Sequence, residues 1–102
     1  MKYNKAIRDK IPEIIQQSGH TAEIKKMTNE EFLIEIEKKL IEETEEYLKN
    51  KDPSELVDVL EVVYRIAQLR GISKQKLDEI RFKKIQERGA FEDNLFLINT
   101  NE

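Results

Sequence analysis

The chain has 102 residues, 38% of them apolar and another 38% charged, which suits one domain with a modest core and argues for a homo-oligomer that buries more surface. The formal charge of -3 speaks against duplex nucleic acid as the main ligand, because binding a phosphate backbone calls for a broad basic excess. With no cysteine there is neither a disulfide framework nor a thiolate metal site, so any metal is held by oxygen or by His20.

Residues 1–10 are polar and basic. Pro12 in a first turn and Gly19 beyond the end bracket a short helix, IPEIIQQSG. The stretch from His20 to Met27 alternates weakly and fits no single element, and His20 itself reads as a loop residue. Thr28 followed by Glu31 is a capping-box pattern that opens a long helix from Asn29 to about Asn50. Asp52, Pro53 and Glu55 then supply an N-cap, a first-turn proline and a capping-box partner for a helix running to Arg70 and stopping at Gly71. A connection this short predicts an antiparallel helical hairpin. Ser73 caps a third long helix ending near Arg88 at Gly89. The tail AFEDNLFLINTNE has apolar residues without helical period and reads as extended and packed back on the domain. No stretch approaches the ~18 apolar residues of a membrane span, and the opening MKYNKAIRDK lacks a signal-peptide core, which predicts a cytoplasmic protein. The predicted fold is an all-α bundle of three long helices plus a short N-terminal one.

At ~100° per residue, Ile36, Leu40 and Tyr47 share one seam of the first long helix, and Glu43 falls in it. Glu46 lies on the flank of that face, while Glu42 and Glu45 turn outward. On the next helix Glu55 shares a stripe with Val62, Ile66 and Leu69, with Asp58 beside it. Two carboxylates ~5 Å apart repel by roughly 3 kcal/mol at an effective dielectric near 20, so a cation belongs among these pairs. Oxygen-only donors select magnesium or manganese, ions that share their remaining positions with water and phosphate. A run such as EETEE is more often a solvated face, and it is the inward phase of both pairs that sets this one apart. On the third long helix Arg81, Lys84 and Arg88 form a basic stripe beside Leu77 and Ile85, suited to clamping phosphates or to covering apolar surface with their stems. Lys5, Arg8 and Lys10 around Asp9 either close over the same phosphates or form a solvated arm.

The pattern E-E-x-x-E at Glu42, Glu43 and Glu46, followed by E-x-x-D at Glu55 and Asp58, resembles the MazG-like nucleotide pyrophosphohydrolases, whose all-α superfamily includes phosphoribosyl-ATP pyrophosphohydrolase. YNKAIRDKIPEII, ELVDVLEVVY and ERGAFEDNLF resemble a short-chain subgroup, so the likeness spans nearly the whole chain. It implies a helical bundle, a homodimer or homotetramer, and magnesium held by Glu43, Glu46, Glu55 and Asp58. The implied reaction cleaves a nucleoside triphosphate to monophosphate and pyrophosphate. Glu46 or Glu42 is then the candidate general base, and Lys5, Arg8, Arg81, Lys84 and Arg88 are the candidate substrate-binding cations. The eight residues from Tyr47 to Ser54 make a shorter connection than in many MazG-like members, which alters the pocket rim but keeps the two acidic pairs. Two other readings fit the residues: a regulatory module that binds metal and nucleotide with little turnover, and a structural oligomer whose acids are paired with Lys and Arg.

Overall fold

A computed structural model describes residues 2–101, and among these the regular structure is entirely α-helical. In chain order the helices are α1 (Ile11–Gln17), α2 (Asn29–Asn50), α3 (Pro53–Leu69) and α4 (Lys74–Arg88). The expected all-α class and the four helix positions are met. None of these helices is long and apolar enough to cross a membrane.

Local chemistry sets the boundaries. The Thr28 hydroxyl accepts from the Glu31 amide at 3.2 Å and the Glu31 carboxylate accepts from the Thr28 amide at 3.0 Å, closing the capping box that starts α2. The bond from the Thr28 backbone is also the main cause holding the Glu31 carboxyl below its ordinary pKa. Thr28→Ala is expected to cost about 1 kcal/mol, read as a fall in thermal midpoint of several degrees. At the other end Lys51 takes a left-handed conformation, φ 59°, and its amide reaches the Tyr47 carbonyl at 2.7 Å. The Asp52 carboxylate caps α3 by accepting from the Ser54 amide and hydroxyl, both at 3.0 Å. The expected capping-box role of Glu55 is not taken up; its side chain turns to Asn50 instead. The Ser73 hydroxyl accepts from the Lys76 amide at 3.1 Å and opens α4.

Only two residues separate α2 from α3, so the helices pack side by side as an antiparallel hairpin. Ile36 of α2 and Val62 of α3 meet in its seam, and Ala6 from the N-terminal arm closes the third side. Phe32, Leu33, Leu40, Ile66 and Leu69 surround this small core. α4 packs only on α3, and α1 packs on no other helix.

The hairpin is a plate with two unlike faces. Counted at ~100° per residue from Ile36 and Val62, equal offsets on two antiparallel helices fall on the same side. On one side stand Lys39, Glu42 and Glu46 of α2 with Asp58 of α3, and across it lies the N-terminal arm. On the other stand Ile34, Ile41 and Leu48 of α2 with Leu56 and Leu60 of α3, all exposed.

The chain is far from compact. Its radius of gyration is 18.0 Å, against ~13 Å for a globule of about 100 residues. Its accessible surface is 9640 Å², where a folded monomer of 12.1 kDa would show roughly 6,000 Å². The expected return of the tail onto the domain is not seen. Beyond Gly89 the chain turns at residues 91–93, with Asn94 left-handed at φ 56°, and forms no further helix among the described residues; Phe91 is fully exposed and Leu95, Phe96, Leu97 and Ile98 are at least 77% exposed.

Candidate functional site

The hairpin brings both acidic pairs to one end of the plate, because Glu43 and Glu46 lie in the last turns of α2 and Glu55 and Asp58 in the first turns of α3. Glu43 points inward as its wheel position requires, with only 15% of its side chain exposed. Glu55 is half-buried, and its Oε1 is buried without a hydrogen-bond donor. Glu46 departs from its expected place on the inward flank: it is exposed, and one bond from the Asn50 amide at 3.3 Å holds it. Glu42, which the wheel turns outward, is instead half-buried, because two lysines draw it in.

The cation that the acidic pairs call for is in part supplied by the chain. Lys39 Nζ lies 3.3 Å from both Glu42 and Glu43, and its side chain is only 14% exposed. Removing one partner of a covered ion pair strands the other, a cost of up to 3–5 kcal/mol at full burial. Lys5 Nζ reaches Glu42 at 3.1 Å and an Arg8 guanidinium nitrogen reaches Asp58 at 2.6 Å. The basic arm is therefore seated: buried Ala6 pins it to the core, and Lys5 and Arg8 tie it to α2 and α3. Partial burial would push the Glu42 carboxyl up, but hydrogen bonds and charges from Lys5 and Lys39 outweigh it and leave the group below its ordinary range. That pairing supports the fold above the ordinary glutamate pKa and fades as pH falls through the lowered one.

Two residues missed in the sequence organise the site. The Asn50 amide donates to Glu46 Oε2 at 3.3 Å and to Glu55 Oε2 at 3.2 Å, so one side chain spans both acidic pairs. The only signal for it was its place four residues after Glu46 at a helix end. Lys39 was legible in principle, standing three and four residues before Glu42 and Glu43 on one helical face.

The basic stripe of α4 does not reach the acids within one chain. Arg81 pairs with Asp78 at 2.9 Å on its own helix, and among the described residues neither Lys84 nor Arg88 bonds to the acidic end. The reason is architectural, since α4 touches α3 and never α2. His20, as expected, lies in a loop, its Nδ1 3.0 Å from the Ser18 hydroxyl.

The donor set fits a hard divalent ion in kind, being carboxylate oxygen with one buried atom, Glu55 Oε1, that nothing satisfies. It is not closed around a single point: among the described residues no three acidic or histidine side chains form a metal-ligating group. A cleft of about 260 Å³ lined by Tyr3, Lys5, Lys39 and Glu42 adjoins the acids. Small-molecule pockets usually run from ~300 to 1,000 Å³, so one chain leaves a phosphorylated ligand largely uncovered. Comparison of the chain with protein-family models, curated proteins and solved structures gives no match.

Proposed function

We propose that this chain is a magnesium-dependent nucleotide pyrophosphohydrolase of the all-α type, acting in the cytoplasm as a homodimer or homotetramer. The observation that carries the reading is the inward direction of Glu43 and Glu55 from neighbouring helices, with Glu55 Oε1 buried and lacking a donor. Glu43, Glu46, Glu55 and Asp58 would hold Mg²⁺, which when bound neutralises phosphate charge and acidifies water. Manganese suits the same oxygens.

The chain's own groups do the rest. Glu46, exposed at the mouth and steadied by Asn50, takes the proton of the attacking water. Glu42 is the weaker base, because its pKa is held down by Lys5 and Lys39, and its part is to keep those lysines in place. Water adds at phosphorus, the bridging oxygen between the α and β phosphates leaves, and the products are monophosphate and pyrophosphate. Lys5 and Arg8, released from Glu42 and Asp58, meet the phosphates, Arg8 with a two-pronged contact. Because α4 lies away from its own acids, Arg81, Lys84 and Arg88 serve the site of another copy.

Purified protein incubated with Mg²⁺ and a panel of nucleoside triphosphates should release pyrophosphate. Failure across the panel would remove the enzymatic reading.

A second reading is favoured by one observation: Lys5, Arg8 and Lys39 already neutralise Glu42, Glu43 and Asp58. On that reading the chain is a structural oligomer whose acids are paired with Lys and Arg rather than with metal. A thermal melt with Mg²⁺ separates the cases. At 100 times the dissociation constant a ligand specific for the native state adds about 2.7 kcal/mol, a rise of ten degrees or more. A site kept closed by its own lysines and arginine leaves the midpoint unchanged.

A further inference from the structure

The N-terminal arm lies across the acidic face of the hairpin, whereas the opposite face carries exposed apolar side chains on either side of the Glu37–Arg70 ion pair. Ile34, Ile41, Leu48, Leu56 and Leu60 are each 48–61% exposed on that side. They flank the Glu37–Arg70 ion pair, which by the same count stands on this side, and exposed apolar side chains gathered on one side of a chain mark an interaction site. The same chain carries a second uncovered element, the segment 91–98, whose five apolar side chains are 77–100% exposed.

We propose that the two cover each other between copies: segment 91–98 of one protomer lies across the apolar α2–α3 face of a second, and the exchange is reciprocal. Three observations select a second copy as the occupant. The first is surface, since the chain exposes over half as much again as a monomer of its mass should. The second is area. Phe91 and Phe96 each offer about 150–250 Å². With Leu95, Leu97 and Ile98, half of the segment pressed on a face and the matching area beneath it amount to about 700 Å² per tail. Two tails reach about 1,400 Å², within the 1,200–2,000 Å² of a stable interface. The third is position, because α4 meets α3 alone and the apolar side chains of the segment that follows it are almost wholly exposed. Each copy owns one tail and one such face, so a two-fold dimer satisfies both and closes without further growth. This inference does not rest on the magnesium site, since none of its residues lies on the acidic face, and it deepens the homo-oligomer of the nucleotide reading.

The absence of cysteine makes a direct test clean. Leu60→Cys and Leu97→Cys chains, given tags of different length, are mixed and oxidised. A disulfide-linked heterodimer is expected, and the double variant should link between chains rather than within one. Phe96→Asp should weaken the dimer at least tenfold in sedimentation equilibrium with unchanged helical circular dichroism, because Phe96 makes no contact that the monomer needs. A wild-type chain that is monomeric throughout, a dimer indifferent to Phe96→Asp, or a double variant that closes on itself would each overturn the proposal. Loss of the dimer with pyrophosphate release intact would leave the magnesium site standing and withdraw the part given to Arg81, Lys84 and Arg88 of another copy, and a dimer without pyrophosphate release would leave the exchange standing.

Discussion

Glu43→Gln and Asp58→Asn are each expected to reduce pyrophosphate release on the order of 100-fold or more, since even the outer partners of a metal ligand typically cost 10–100-fold. Both substitutions keep the volume of the side chain and remove its charge. Their structural effects differ. Glu43 shares Lys39 with Glu42, so in Glu43→Gln the covered lysine keeps one carboxylate and the fold should survive. Asp58→Asn frees Arg8, whose side chain is half exposed, and an exposed pair contributes only about 0–1 kcal/mol. Thermal midpoints within a few degrees of wild type, together with lost turnover, would assign the carboxylates to the chemistry. Full turnover in both variants would sink the magnesium site. Lost turnover accompanied by a collapse in stability would show the acids to be structural partners of Lys39 and Arg8.

The largest effect on stability is expected from Ile36→Ala. Ile36 is the buried α2 residue where the hairpin meets the arm, in contact with the cluster formed by Ala6 and Val62. Truncating a buried isoleucine costs about 2–5 kcal/mol in lost burial and cavity, against a total of 5–15 kcal/mol for a typical domain. The midpoint should fall by about 10 °C or more. Because Ala6 seats on the same cluster, the arm should loosen as well, and Lys5 and Arg8 with it. Ile14→Ala is the control: Ile14 is exposed on α1, which packs on no other helix, and the change should stay within about 0.5 kcal/mol. Chemical denaturation of both variants measures the difference, and equal midpoints would place the core elsewhere.

Much of the helical framework was legible because its signals are local. Thr28 with Glu31, Asp52 with Pro53, and Ser73 each mark a start within one turn of chain. The inward phase of Glu43 was likewise a matter of counting along one helix. Glu46 and Glu42 were misjudged for a common reason: wheel position states a direction, whereas exposure depends on what lies opposite. The arm and Lys39 cover Glu42, whereas among the described residues the hydrogen bond to Glu46 comes from Asn50 and leaves it exposed. The tail was expected to pack back because its apolar residues need cover, but that need does not say which copy of the chain provides it.

By itself, then, the sequence determined the four helices, the hairpin and the placing of two acidic pairs at its closed end, all consequences of caps, period and a two-residue link. Only the tertiary structure decided which charges meet. Lys5 and Arg8 are 37 and 50 residues from the carboxylates they hold, and Asn50 bridges helices that the wheel treats separately. The tertiary structure also removed α4 from the acids and left apolar side chains exposed on one face of the hairpin, since helix packing depends on where two apolar stripes come to lie in space rather than on either stripe alone.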